Sequence, residues 1–341
     1  MKALVARLDS FGDVLLAGPA VRAVAAGAAH TTLLCGPRGA AAARMLPGAD
    51  EVAVWDAPWA GFAPPAVEQS DVDGFLAHIR RDPPDVALVL TSYHQSPLPL
   101  ALLLRMAGVP RIAADSADYP GSLLDLRHRR APRRHEAAAA LDLAEAAGFR
   151  LPEGDDGRLA VRTPPPADHL VSGTGYVVVH PGAAVPARRW DPGRCAAAVR
   201  ALARAGHRVV VTGGPGEREL TAAVAGAAAL DLGGRTGPGE LAGVLARAAV
   251  LVAGNTGPAH LAAAVGTPVV SLFAPVVPAE RWAPFGVPHV LLGDPRAACA
   301  GSRARECPVP GHPCLNGVGA EDVVAAVEKL TVADHGPEEA P

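Results

Sequence analysis

The chain has 341 residues, half of them hydrophobic, with 31 basic side chains against 34 acidic ones and a formal charge of −3. That length suits two domains of ordinary size, and the near-balanced charge excludes a field that would gather nucleic acid. No apolar run reaches the ~18–20 residues that span a bilayer, and Asp9 and Asp13 stand where a secretory signal would need its apolar stretch, so a cytoplasmic protein is expected.

Taken in order, Lys2–Arg7 reads as a first buried strand, Leu8–Asp13 as a turn, and Val14–Ala26 as a helix that carries Pro19. Thr31–Cys35, Glu51–Trp55, Val86–Leu90 and Arg111–Ala114 are the next predicted strands. Strands alternating with helical patterns imply right-handed crossovers and a mostly parallel sheet. The stiff tract Thr163-Pro164-Pro165-Pro166 interrupts the alternation and reads as a linker over 163–169. Beyond it the pattern restarts: strands over 176–179, 208–212, 229–232, 250–253 and 268–273, with helices over 191–205, 216–226, 238–247 and 257–265. Pro275–Gly319 is expected to be mostly irregular, followed by a last helix over Ala320–Leu330 and a flexible tail over 331–341. The expected domains are therefore 1–162 and 170–330. Both are α/β, Rossmann-like and doubly wound, and two such sheets facing each other would leave a central cleft at the carboxyl ends of their strands.

Only Lys2 and Lys329 are lysines, and this arginine bias, with abundant Ala, Gly and Pro, reads as the coding signature of a GC-rich bacterial genome. Cys299, Cys307 and Cys314 share one Pro/Gly-rich loop with His312, but no tight Cys-x-x-Cys pair is present. Reduced or redox-sensitive thiols are expected there and not a metal. Cys35 and Cys195 fall in apolar segments and read as small core residues.

Ala248–Pro268 runs from a buried strand through a Gly/Thr turn into a helix start, where free backbone N–H groups and the positive end of the helix dipole favour an anion. A second such turn, His180-Pro181-Gly182-Ala183, follows the strand 176–179 and precedes Arg188-Arg189-Trp190. Two anion-friendly loops in one half of the chain point to a diphosphate ligand. Asn255, Thr256 and Gly257 offer backbone and side-chain contacts to it, and His260 is either a structural helix residue or a further contact. Arg188 could neutralise a departing diphosphate through paired hydrogen bonds, whereas Arg189 could point outward. Gly213-Gly214-Pro215-Gly216-Glu217 misses the spacing of a dinucleotide loop, which disfavours a nicotinamide enzyme; Glu217 reads as a helix cap or a ribose contact. In Ser10-Phe11-Gly12-Asp13, the Asp13 carboxylate is either a helix cap or a general base, with Ser10 and Gly12 beside an approaching acceptor. The basic run Arg127–His135 reads as a solvated loop that could greet an anionic acceptor.

LDSFGDVLLAGPAVRAV, HPGAAVPARRW, GGPGE and GNTGPAHLAAAVGTPVVSLFAP resemble, in order and spacing, the successive motifs of glycosyltransferase family 9, the ADP-heptose heptosyltransferases. The resemblance covers the chain from its first strand to about Leu330. It implies the GT-B architecture, with the acceptor held mainly by the first domain and the nucleotide sugar mainly by the second. It also implies an inverting, metal-independent transfer without a cofactor, in which the nucleotide sugar is the co-substrate. On this resemblance Asp13 deprotonates the acceptor hydroxyl, and Arg188, Thr256 and Gly257 hold the diphosphate. The acceptor would be a glycan, a glycolipid or a small natural product, with peripheral contact at the inner face of the membrane in the glycolipid case.

Two positions depart from the family pattern. Asn255 stands where an aspartate is usual, and Arg188 where a lysine is usual. Two other readings follow. One keeps the fold with another donor, as a UDP- or GDP-sugar transferase or an epimerase, and the other is a nucleotide-sugar-binding protein without catalysis.

Overall fold

The computed structural model describes residues 1–332; the tail expected over 331–341 lies outside them except for Thr331 and Val332, which end the last helix. Contacts divide the chain into two compact units, one over Met1–Arg162 and one that begins at Thr163.

The first unit holds β1 (Lys2–Arg7), β2 (His30–Cys35), β3 (Glu51–Val54), β4 (Val86–Val89), β5 (Arg111–Asp115) and β6 (Leu126–His128). All pair in parallel, in the order β3-β2-β1-β4-β5-β6. The second unit repeats the arrangement with β7 (Tyr176–His180), β8 (Val209–Val211), β9 (Leu230–Asp231), β10 (Ala248–Gly254), β11 (Val269–Leu272) and β12 (His289–Leu292). Its order is β12-β11-β10-β7-β8-β9, again parallel. Central strands covered on both faces should read as unbroken apolar runs, and Val-Ala-Leu-Val of β4 and Val-Val-Val of β8 are buried at every position. The expected α/β class with two doubly wound parallel sheets is borne out.

In each sheet the chain winds outward from a central strand in one direction and then returns to wind in the other. The reversal falls between β1 and β4 in the first unit and between β7 and β10 in the second. At such a switch point the loops leaving adjacent strands part to opposite faces and open a crevice, the usual ligand site of open α/β sheets.

The predicted helix over Val14–Ala26 is two helices, Phe11–Leu16 and Gly18–Gly27. It starts earlier because Ser10 has the extended backbone of an N-cap, and it breaks because Pro19, in the first turn of the second helix, cannot donate to a continuing ladder. The segment 275–319 is more ordered than expected: it contains β12 and short helices at Ala279–Trp282 and Pro313–Asn316. Its strand was hidden because His289–Leu292 is an edge, buried on one side only, and too short for a periodicity signal. Among the described residues, no helix is long and apolar enough to cross a membrane.

Candidate functional site

In the second unit, three loops gather at the carboxyl ends of the adjacent strands β10, β7 and β8. The loop after β7 buries His180, Pro181 and Gly182. Burial holds the His180 imidazolium well below its ordinary pKa, with Glu217 opposing, so the ring is a neutral hydrogen-bonding group. Its Nδ1 lies 3.0 Å from the Thr212 hydroxyl, and its Nε2 3.9 Å from the Glu217 carboxylate.

Glu217 accepts the Gly214 backbone N–H at 2.8 Å, which makes it the cap of its own turn, one of the two roles weighed for it. The same carboxylate fills the space where a Cβ on Gly182 would stand. Gly182 is thus required by tertiary packing between two loops that are 35 positions apart.

Arg188 ends a 3-10 turn, Pro186–Arg188, that lies against the loop after β10. Its backbone carbonyl sits 2.8 Å from where a Cβ on Gly254 would be, so the two chains approach only because residue 254 is glycine. Its guanidinium Nη1 donates to the Asn255 carbonyl at 3.4 Å, which sets the cation beside the Thr256–Gly257 turn. Arg189 is exposed and its Nη2 donates to the Ala183 carbonyl at 3.1 Å, so it braces the first loop from outside.

Thr256 is the extended N-cap of the helix Gly257–Ala264, and its side chain makes no cap bond to that helix. Its hydroxyl leans back to the Gly254 carbonyl at 3.4 Å. His260 is buried within this helix. The Asn255 carboxamide has a different employment from the donor contact expected of it. Its Nδ2 donates to the Ala274 carbonyl and its Oδ1 accepts the Ala274 N–H, each at 3.2 Å, so both ends are taken by the backbone of one residue beyond β11. The structure therefore brings His180, Pro181, Gly182, Arg188, Gly214, Glu217, Thr256, Gly257 and His260 to one sheet edge, with Asn255 beneath them as a clasp.

In the first unit, Asp13 lies in the first turn of the helix Phe11–Leu16, preceded by buried Gly12 and by Ser10, whose hydroxyl donates to its Oδ2 at 2.6 Å. Ser10 and not Asp13 holds the N-cap position, which leaves the carboxylate for other work. Sequence reasoning missed the group that Asp13 faces on its other side. Arg7, buried at the end of β1, reaches Asp9 at 2.9 Å, the Ser92 hydroxyl at 2.9 Å, Asp13 at 3.4 Å and Glu136 at 3.7 Å. Only an arginine presents enough donors in one plane for such a set. The signal available in the sequence was a charged residue closing an otherwise apolar strand.

The basic run Arg127–His135 is the solvated loop expected at Arg129 and over 131–134, which are exposed, but not at its start or at Arg130. Its start forms β6, Arg127 donates to the Ser116 and Ala117 carbonyls, and Arg130 binds Asp115, Glu136 and the Thr91 carbonyl. Asp115 at the end of β5 and Glu136 at the next helix start draw Arg130 inward. All five cysteines are free, and among the described residues no group of three or more His, Cys, Asp or Glu could hold a metal ion. Burial pushes the thiols of Cys35 and Cys314 up to about 11 and that of Cys195 to about 12.

Two doubly wound parallel sheets, each with a crevice at its switch point, define a two-domain α/β class of protein. The family model "Glycosyltransferase family 9 (heptosyltransferase)" matches residues 77–312, and the chain belongs to this family of glycosyltransferases. Among solved structures, a family 9 glycosyltransferase from Veillonella parvula aligns with TM-score 0.76 at 19% identity, covering 97% of both chains. The ADP-heptose LPS heptosyltransferase II of E. coli gives 0.75 at 18% identity, covering 98% of this chain and 100% of the other. E. coli heptosyltransferase WaaC, solved with ADP-2-deoxy-2-fluoro heptose, gives 0.70 at 19% identity over 96% and 99%. No curated protein matches the sequence.

Proposed function

We propose that the protein is an inverting, metal-independent glycosyltransferase that moves a sugar, with heptose the family default, from an ADP-sugar to a hydroxyl of a glycan, glycolipid or small-molecule acceptor. The observation that carries this reading is the placement of Arg188 against the Asn255 carbonyl, beside the Thr256–Gly257 turn at the switch point of the second sheet. There a fixed cation and a helix N-terminus supply positive charge to a leaving diphosphate. His180, held neutral, contributes hydrogen bonding there, and Arg188 the charge.

In the reaction the acceptor oxygen forms a bond to the anomeric carbon while the bond from that carbon to the diphosphate breaks. The electron pair leaves on ADP, and the hydroxyl proton passes to Asp13. Attack opposite the leaving group inverts the anomeric configuration. The Ser10 hydroxyl and the Arg7 guanidinium hold the Asp13 carboxylate in place for this proton. The protein would work in the cytoplasm, at the inner face of the membrane where the acceptor is a glycolipid.

Asp13→Asn tests the assignment. Loss of a positioned general base lowers turnover by ~10²–10⁴-fold, while the ADP-induced rise in Tm is kept. An Asp13→Asn protein with full turnover would end the proposal. A Tm rise with UDP or GDP but none with ADP would move the donor to the alternative nucleotide.

A further inference from the structure

The Pro/Gly-rich loop that carries Cys299, Cys307, His312 and Cys314 runs onto the turn that holds Arg188. It is firmly anchored. Cys299 and Cys314 are buried with Leu315 in the core of the second unit, and the Gly301 and Arg303 N–H groups donate to the Pro275 and Val276 carbonyls, each at 2.8 Å. Ala187, the residue before Arg188, is 1% exposed, so its N–H and its carbonyl both need partners within the protein. The loop supplies both. The Ala187 N–H donates to the Arg305 carbonyl at 2.9 Å, and the Ala187 carbonyl lies 3.1 Å from Nε2 of His312. Two residues beyond Arg188, the Trp190 indole N–H donates to the Leu315 carbonyl at 3.1 Å. Arg188 therefore stands between two points held by one loop, with its own carbonyl set close against Gly254.

His312 reaches the Ala187 carbonyl from an unusual backbone. Its φ of 48° and ψ of 52° lie in the left-handed region, between Gly311, whose φ is 78°, and Pro313. A residue with a Cβ pays a steric penalty there that glycine avoids. Strain of this kind is concentrated at sites where the side chain has work that glycine cannot do. Here that work is a hydrogen bond. A carbonyl only accepts, so Nε2 is the donor, and it carries a proton in the neutral Nε2–H tautomer and in the imidazolium alike.

We propose that His312 is a positioning residue for Arg188. By holding the Ala187 carbonyl it fixes the turn Pro186–Arg188, and with it the guanidinium, beside the Thr256–Gly257 turn where the diphosphate is bound. The proposal rests on the reading of Arg188 as the cation that meets the diphosphate. His312 itself touches neither sugar nor nucleotide in this role. A guanidinium grips phosphate oxygens through hydrogen bonds that share one plane, so a shift of the turn beneath it weakens them together.

Titration calorimetry of the full chain with ADP and with AMP, together with the Tm of each protein, tests the proposal. The wild-type chain should bind ADP more tightly than AMP, and His312→Ala and His312→Gly should each cut that preference at least fivefold. His312→Gln should recover it, because the glutamine Nε2 stands as many bonds from Cβ as the imidazole Nε2 and also donates. The two truncations separate position from stability. Glycine takes the left-handed backbone without strain, so His312→Gly should melt higher than His312→Ala while losing the same preference for ADP. A preference kept by His312→Gly, or kept in both truncations, would overturn the inference, as would a glutamine variant no better than alanine. A wild-type chain that binds ADP no more tightly than AMP, or a full preference in Arg188→Ala, would instead remove the reading of Arg188 and this inference with it.

Discussion

At position 255 a carboxamide does two things that a carboxylate cannot do together: it donates to the Ala274 carbonyl and accepts the Ala274 N–H. With Asn255 buried, Asn255→Asp leaves that carbonyl facing an acceptor, and we expect a loss of ~1–3 kcal/mol, read as a lower urea midpoint. The sequence showed that the usual aspartate was absent. It could not show what the asparagine binds, because the partner lies nineteen positions on and is brought near only by the β10–β11 register. His180 makes a second case. Its folded pKa lies below its ordinary 6.5, so the unfolded chain binds the extra proton. Its contribution to stability is complete above pH 6.5 and is lost as pH falls from there toward the folded pKa. Melting curves between pH 8 and pH 5 should show this decline, and His180→Gln should flatten it.

Helices and strands follow local rules where those rules meet no tertiary competitor. The helix Pro192–Arg204 has Asp191 as N-cap, its carboxylate accepting the Arg194 N–H at 2.9 Å, and proline in its first turn, all as its sequence implies. Asp191→Ala should cost ~0.5–2 kcal/mol, measured by chemical denaturation of the second unit. The turns after β7 and β10 were legible for the same reason, since a buried strand followed by Gly or Thr and a helix start is a local pattern. Local patterns failed at β6 and β12, where short edge strands carry three or four residues each and one is rich in charge. The helix break at Ala17 was also missed, because Pro19 is compatible with either a kink or a fresh start.

Across the whole molecule each unit buries its own core. The Trp55–Phe75–Leu104 cluster belongs to the first, and Trp190, Val199 and Leu315 to the second. The proposed donor contacts all lie in the second unit, so on that proposal ADP binding should slow amide exchange at 180–183, 213–217 and 255–260 while leaving the central β1 and β4 amides unchanged, as read by mass spectrometry. Protection confined to the first unit would place the nucleotide on the wrong sheet. The net charge of −3 adds no attraction for a diphosphate, so the cation that meets it must be local, and Arg188 is placed to be that cation.

The sequence by itself determined the class of the fold, the central strands of each sheet and the turns that follow β7 and β10, because apolar runs, helix caps and glycine turns are properties of neighbours in the chain. Only the tertiary structure decided that Arg7 meets Ser92 and Glu136, that Glu217 occupies the space Gly182 leaves open, and that Trp59 walls a cavity beside β4. Each of these depends on strand order and register in a sheet, which join residues tens of positions apart and leave no periodic trace in the chain.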